Sequence, residues 1–338
     1  MRNTNTIHRR NSIVLIIIFF CFLPLLWSSF YGQIQYAKAV VSESNVTNSG
    51  QSIDADESTY SELESGSGLV IGIGSYESHI ELSFPAPVQA DETFYMKIET
   101  DDDLLSGLLA GTLGSLVSDV LGLVLQGNQE FTVQVKDAGG NVVLSGNSAN
   151  ASTFSGERLK VVTNNNGEIY LAITPSQSYQ SVLITNKVGS LLGLGAKRKM
   201  RVYDPYYYMT PVSCQELKFT SYSGSGISLE LLNLGGGVIN IERGIDQNLN
   251  TFSTLSLGVV SVASSLKQYF YFEAPILPND VYGIHFSLDP ALLTINIAQN
   301  IRIITQKGAA EVTNVPISTY LTPGNMADLN NGLPTTIF

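Results

Sequence analysis

IDADESTYSEL, residues 53–63, returns later in the chain as IDQNLNTFSTL, residues 245–255, and this recurrence decides how the fold is divided. Ile, Asp, Thr, an aromatic residue, Ser and Leu recur in register. A second match lies further along the chain after each copy. Residues 84–105 align without a gap with residues 272–293, and both segments begin with Phe-x-Ala-Pro. Two matches in the same order and at similar separation indicate an internal repeat of one structural unit.

Alternation of apolar and polar residues predicts that this unit is made of β-strands. Apolar side chains occupy every second position over residues 94–98 and again over residues 282–286, which is typical of a half-buried strand. The same alternation runs over residues 131–136, and the turn-forming residues 137–141 predict a hairpin with the strand that follows. Further strands are predicted at residues 169–174, 182–185, 200–203 and 301–304.

The sequence therefore predicts an all-β chain of two tandem, jelly-roll-like β-sandwich modules. An export segment at residues 1–39 precedes module one at 40–210 and module two at 211–338. Only 14% of the residues are charged, against roughly a quarter in ordinary domains, which fits strands joined by many turns. Module two has no counterpart of residues 181–208 and is expected to be C-terminally incomplete, so that its missing strands come from a longer polypeptide or from elsewhere.

Residues 1–39 have the features of a secretory signal peptide. Three arginines precede an apolar run over residues 13–27, and the small residues Ala37 and Ala39 follow at the expected cleavage site. The alternative is an uncleaved membrane anchor, since the run approaches the length of a spanning helix. We expect export to the cell surface or the medium, with membrane contact only through this segment if it is uncleaved.

Charge restricts the partners of the exported chain. The net charge of 18 − 29 = −11 becomes 14 − 29 = −15 once residues 1–39 and their four basic residues are removed. This charge argues against nucleic acid as a partner and suits neutral glycans, other cell-surface components or divalent cations. Only Cys214 remains after cleavage, so no internal disulfide is expected.

The repeated loop carries oxygen-bearing side chains at alternate positions, which predicts a Ca²⁺ site in each copy. The alternative is that these side chains bond their own backbone and stabilise a turn without an ion. The residues concerned are Asp54, Asp56 and Ser58 in the first copy and Asp246, Asn248 and Asn250 in the second.

The pattern Ile-Asp-x-(Asp/Asn)-x-(Ser/Asn)-Thr-(Tyr/Phe)-Ser-x-Leu, followed by Phe-x-Ala-Pro and alternating strands, resembles the repeated modules of large adhesin-like surface proteins of Bacteroidetes-type bacteria. More distantly, the loop is similar to the first loop of the discoidin-like (F5/8 type C) galactose-binding jelly roll. The resemblance implies a surface-binding β-sandwich in which Asp54 and Asp246 organise the loop or bind Ca²⁺. It also implies that Tyr60 and Phe252 anchor the core.

The chain departs from the discoidin-like pattern at one position of each loop. Ala55 and Gln247 stand where that family usually has glycine. This difference weakens the expectation of a Ca²⁺ loop of the family type.

Two other segments have two interpretations. Leucines and valines at near-helical spacing over residues 104–125 predict one or two short helices that cap the sandwich, and the glycines and Asp119 argue against a membrane span. The tyrosines at 203 and 206–208 have the flat rings that stack on sugars, but their place at the end of module one favours packing at the junction.

No catalytic site is predicted. The exported chain has only His79 and His285, and it contains no nucleophile elbow, zinc-binding His-Glu-x-x-His helix or phosphate loop. Apart from Ca²⁺, no cofactor is expected. The favoured function is binding or adhesion at a surface, with glycans as one ligand class. The alternatives are a structural spacer within a larger surface protein and an extracellular polysaccharide-active enzyme.

Overall fold

The computed structural model of the chain describes residues 34–68, 74–101, 104–110, 129–154, 156–188, 195–209, 217–225, 237–256, 265–272, 281–288, 300–307, 310–330 and 333–337. Strands dominate these residues, and every strand pairing in them is antiparallel. The all-β prediction is thereby confirmed. We call residues 34–209 the N-terminal half and residues 217–337 the C-terminal half.

The elements of the N-terminal half are β1 (Ile34–Tyr36), β2 (Ala39–Ser44), β3 (Val46–Thr47), β4 (Ser61–Gly66), β5 (Ser78–Val88), β6 (Phe94–Thr100), α1 (Leu104–Leu109), β7 (Gln129–Lys136), β8 (Val142–Asn147), β9 (Leu159–Thr163), β10 (Ile169–Ile173), β11 (Tyr179–Val188), β12 (Lys197–Val202) and β13 (Tyr206–Tyr208). Those of the C-terminal half are β14 (Leu217–Ser225), β15 (Gly237–Ile239), β16 (Thr254–Ser256), β17 (Ser265–Phe272), β18 (Ile284–Phe286), β19 (Arg302–Lys307), β20 (Ala310–Pro316), α2 (Pro323–Asn330) and β21 (Thr335–Ile337).

Two sheets of the N-terminal half form a β-sandwich. One sheet has the order β2-β5-β11-β7-β8, and the other contains β9-β10-β6-β12-β4-β3, with β13 and β1 continuing along one side of β6. β1 and the buried Ala37 belong to this fold, so the fold begins before residue 40, the predicted start of module one. The inner faces of both sheets contribute to a single buried apolar cluster. Phe94, Met96 and Ile98 of β6 face Val133 and Val135 of β7 within this cluster, as the period-two pattern predicts.

The leucine-rich segment begins with a short helix, as predicted. Leu105 and Leu108 of α1 are buried against the sandwich core. The rest of the segment, residues 111–128, lies outside the described residues. In the part of the chain that the structure describes, no helix has the length and apolar character needed to cross a membrane.

The C-terminal half repeats pairings of the N-terminal half in the same chain order. The pairs β14–β17, β15–β16, β18–β21 and β19–β20 follow the pattern of β2–β5, β3–β4, β6–β10 and β7–β8. Register is also kept, because Val238 lies opposite Leu255 as Val46 lies opposite Leu63.

The two halves are joined by a strand pairing and by buried apolar residues. β14 extends the larger sheet beyond β9 through the pair Thr220–Thr163, and β17 pairs with β14, so the sheet has ten strands among the described residues. Phe219 of β14 is 0% exposed. Its ring lies 4.7 Å from that of Tyr95 and 4.9 Å from that of Tyr170, measured between centroids. Phe219 therefore belongs to a small second core on the outer face of the sheet, while Ile241 of the C-terminal half is buried in the sandwich core.

Candidate functional site

The predicted Ca²⁺ loop of the N-terminal half is a tight, self-bonded turn. Asp54 Oδ1 accepts the backbone N–H of Asp56 at 3.0 Å, and Asp56 Oδ1 accepts that of Ser58 at 2.9 Å. Thr59 donates its hydroxyl to Asp54 Oδ2 at 3.0 Å. The hydroxyl and the backbone N–H of Ser58 lower the pKa of Asp56. These contacts are the local bonds by which Asp residues stabilise turns.

The loop of the C-terminal half has the same geometry. Asp246 Oδ1 accepts the N–H of Asn248 at 2.9 Å, Asn248 Oδ1 accepts that of Asn250 at 3.0 Å, and Thr251 donates to Asp246 Oδ2 at 2.6 Å. The Thr251 hydroxyl and the Asn248 N–H lower the pKa of Asp246. Both loops follow a 3-10 helix that begins after a left-handed asparagine. Each loop therefore contains three of the six residues predicted from the sequence, and the two loops have the same hydrogen-bond pattern.

Among the described residues, a third carboxylate approaches the loop of the N-terminal half and none approaches the other loop in the same way. Asp204, in the turn between β12 and β13, is 1% exposed. Its Oδ2 accepts the N–H of Asp56 at 3.2 Å, so this one donor is shared with Asp54. No sequence pattern pointed to Asp204, because 150 positions separate it from Asp54. The described residues contain no group of three or more His, Cys, Asp or Glu side chains arranged to hold a metal ion.

Tyr60, which was expected to anchor the core, does not do so, and the same expectation for Phe252 stays a prediction. Tyr60 is half-buried outside the core cluster, where its ring lies 5.5 Å from that of Tyr203. Phe252 is half-buried with its ring 6.0 Å from that of His285. The prediction for Tyr60 was wrong, since Tyr60 precedes β4 and Leu63 of β4 enters the core instead.

The tyrosines at the end of the N-terminal half are packing residues. Tyr206 is buried in the second core, where it contacts Tyr95 and Tyr36. Tyr203 is buried and donates its hydroxyl to Glu99 Oε1 at 2.6 Å. These contacts agree with the interpretation of the tyrosines as junction residues.

An open groove of about 490 Å³ lies at one end of the sandwich. Its lining residues come from the ends of strands and the loops beside them: Gly66, Ser75, Tyr76, Glu77, Glu130, Lys187 and Val188. Lys187 of β11 lies directly opposite Glu130 of β7. The lining therefore combines an aromatic ring, two carboxylates and one ammonium group.

Tyr76 is held in this groove by both its backbone and its side chain. Its backbone exchanges two hydrogen bonds of 3.0 Å with Gly66. Its hydroxyl donates to Glu64 Oε1 at 2.8 Å, and Lys197 pairs with the same oxygen at 2.6 Å. A Cβ atom at Gly66 would lie 2.6 Å from Cε1 of Tyr76, so glycine is required for the ring to lie across the strand.

A buried polar network fixes the strands behind the groove. Gln129 donates to Asn186 Oδ1 at 2.9 Å, and Asn186 donates to the carbonyl of Leu63 at 3.0 Å. Ser65 shares a 2.7 Å hydrogen bond with Ser78. Satisfied networks of this kind hold neighbouring strands in one arrangement. The groove was not predicted from the sequence, because the residues that line it come from separate segments with no common spacing.

The remaining residues considered for chemistry are dispersed. His79 lies on β5 opposite Thr185, and His285 lies on β18 with its Nδ1 atom 2.8 Å from Thr336 Oγ1. Cys214 lies outside the described residues.

No protein-family model, no curated protein and no solved structure matches this chain. The resemblance to bacterial surface modules therefore stays a prediction drawn from the sequence.

Proposed function

We propose that this chain is an exported surface protein that binds glycans or other surface components through the groove at the end of its N-terminal sandwich. The observation that carries this proposal is the Tyr76 ring lying across Gly66 in a groove whose polar residues are Glu77, Glu130 and Lys187. A rigid aromatic ring with a few polar groups of both charges suits a ligand that has apolar faces and a polar edge.

Binding of the purified chain to a glycan array, with and without Ca²⁺, tests this function. Replacing Tyr76 with Ala removes the ring and is expected to weaken binding by about tenfold, which corresponds to roughly 1.4 kcal/mol. Tyr76→Phe keeps the ring and loses only the hydroxyl contact with Glu64, so it is expected to retain most of the binding.

The matched control is Tyr320→Ala, which removes an exposed tyrosine of the C-terminal half. Its binding is expected to equal that of the unmodified chain. An array on which the unmodified chain binds no glycan, or equal binding by Tyr76→Ala, contradicts a glycan site in the groove.

The junction favours a second function, that of a rigid spacer in a larger surface protein. Phe219 packs between the rings of Tyr95 and Tyr170, and Lys160 lies 4.7 Å from the ring centroid of Tyr269. Contacts of this kind fix the direction of one half relative to the other. A spacer needs that rigidity and no ligand.

Calorimetry of Phe219→Ala tests the spacer function. The substitution removes the buried ring at the junction, and the single unfolding transition expected of the unmodified chain is predicted to separate into two. A chain that binds no glycan yet unfolds in one transition supports the spacer. Two transitions in the unmodified chain contradict it.

For the C-terminal half, we infer a second module of the same sandwich, joined to the first in tandem. Support comes from the four strand pairs that follow the order of the N-terminal half and from the second copy of the loop. Hydrogen exchange that protects β14 and β17 to the same degree as β2 and β5 is the expected result. Complete exchange of β14 and β17 on the time scale of an unfolded chain contradicts a second module.

A further inference from the structure

Two carboxylates from distant parts of the chain meet at one backbone donor in the N-terminal half. Asp56 donates its N–H to Asp54 Oδ1 at 3.0 Å and to Asp204 Oδ2 at 3.2 Å. The second oxygen of Asp204, Oδ1, is buried and has no hydrogen-bond partner among the described residues. Buried carboxylate oxygens are normally hydrogen-bonded, paired or bound to a cation.

A further carboxylate, that of Glu57, lies near this pair. Tyr36 donates its hydroxyl to Glu57 at 2.8 Å, and burial, the Glu57 carboxylate and the charge of Asp204 raise the pKa of Tyr36. Burial, and then the adjacent carboxyl group of Asp54, raise the pKa of Asp204 to about 7. In both shifts burial is the largest cause, and neighbouring carboxyl groups add to it.

The basic residues beside the loop are already paired elsewhere. Arg201 lies over the ring of Tyr60 and pairs with Glu99 at 2.8 Å. Lys97 lies over the ring of Tyr203 and forms its ion pair with Glu168. In the part of the chain that the structure describes, neither Asp54 nor Asp204 forms an ion pair.

We propose that Asp54 and Asp204 bind one Ca²⁺ ion, which neutralises the buried oxygen and fastens the loop to the turn between β12 and β13. Ca²⁺ accepts carboxylate oxygens in irregular arrangements and completes its shell with water. Water reaches this site because Asp54 is exposed. A site with only two carboxylates belongs with the weak extracellular Ca²⁺ sites, whose dissociation constants are about 10⁻⁴–10⁻³ M.

The loop of the C-terminal half supplies an internal control. Asp246 makes the same turn as Asp54, but its pKa is lowered by Thr251 and Asn248 and no described carboxylate approaches it as Asp204 approaches Asp54. We therefore expect the ion in the loop of the N-terminal half alone. This proposal is independent of the glycan groove, which lies among other residues.

The test is thermal unfolding of the purified chain at pH 8 in EDTA and in 10 mM CaCl₂, with NaCl added to equalise ionic strength. Ca²⁺ is expected to raise Tm of the unmodified chain by about 5 °C, because the ion binds only the folded state. Calorimetric titration with Ca²⁺ is expected to give one site per chain.

Asp204→Asn and Asp246→Asn form the matched pair of variants. Asp204→Asn keeps the shape of the side chain and removes its charge, so it is expected to fold, to be at least as stable as the unmodified chain in EDTA, and to lose the response to Ca²⁺. Asp246→Asn is expected to keep the full response. An unmodified chain that does not respond to Ca²⁺, or an Asp204→Asn variant that responds fully, overturns the proposal.

Discussion

The two halves of this chain share their loops and differ in their cores. In both loops the second residue after the isoleucine has a positive φ, 65° at Ala55 and 60° at Gln247, and the aspartate accepts the same backbone N–H. The strand that follows the loop is buried to a different degree in the two halves. Leu63 of β4 is 0% exposed, whereas Leu255 at the equivalent place in β16 is 50% exposed.

This difference separates what short-range bonds determine from what packing determines. The loop needs only contacts between residues a few positions apart, so the same sequence makes it twice. Burial of Leu63 also needs β12 on the far side of β4 and the second sheet across the core. In the described part of the C-terminal half, β16 pairs with β15 alone, and Phe270 of β17 is likewise exposed. An apolar strand is a core strand only where a partner sheet covers it.

The largest expected effect comes from removing the two equivalent leucines. Leu63→Ala creates a cavity in the sandwich core and is expected to lower the free energy of unfolding by about 3 kcal/mol. Leu255→Ala is expected to cost less than about 1 kcal/mol, because half of that side chain already contacts water. Urea denaturation followed by circular dichroism measures both.

Equal losses of stability in the two variants would contradict the difference in burial between Leu63 and Leu255. They would mean that Leu255 is covered in solution by another segment of the same chain or by a second copy of the chain. Repeating the measurement at several protein concentrations separates those two cases, since only self-association depends on the concentration of the chain itself.

Strands and turns were predictable from the sequence to the extent that their signals are local. Alternation identified β6, and the turn after β7 is closed by Asp137, whose Oδ1 accepts the N–H groups of Gly139 and Asn141. The same alternation at residues 282–286 produced only the short strand β18, with Ile284 exposed. Period two shows that one face is apolar and does not show that the face is covered.

The functional contacts were harder to predict because they join distant segments. Asp54 was identified from its repeated spacing, but its neighbour Asp204 is brought to it only by the pairing of β12 with β4. Nothing in the sequence around Gly66 indicates that the ring of Tyr76 lies against it. No spacing in the sequence encodes either approach.

A smaller effect is expected from an ion pair that distinguishes the equivalent strands β5 and β17. Glu81 of β5 lies opposite Ser42. Its carboxylate accepts hydrogen bonds of 2.7 Å from Lys136 and from Ser181. The corresponding residue of β17 is Tyr269, which lies opposite Ser221. Burial opposes ionisation of Glu81, but Lys136 and Ser181 outweigh it and lower its pKa.

The stability that this carboxylate contributes therefore depends on pH. Because the folded-state pKa of Glu81 lies below the unfolded value of about 4.3, its contribution is full above that value and is lost as the pH falls through the folded-state pKa. Glu81→Gln is expected to lower the free energy of unfolding by about 2 kcal/mol at pH 7. The gap should narrow as the pH falls through the folded-state pKa of Glu81. Urea denaturation between pH 3 and 7 checks this, and a gap that stays constant across the range contradicts it.

The smallest expected effect tests whether the two loops are equivalent in energy as well as in geometry. A non-glycine residue at positive φ costs about 1–2 kcal/mol, whereas glycine loses about 0.5–1 kcal/mol of backbone entropy on folding. Ala55→Gly and Gln247→Gly should each therefore stabilise the chain by about 0.5 kcal/mol. Gln247→Ala exchanges the side chain without freeing φ, so it should give no gain. A gain in one loop and a loss in the other, measured by urea denaturation, would show that the shared turn is held by different forces in the two halves.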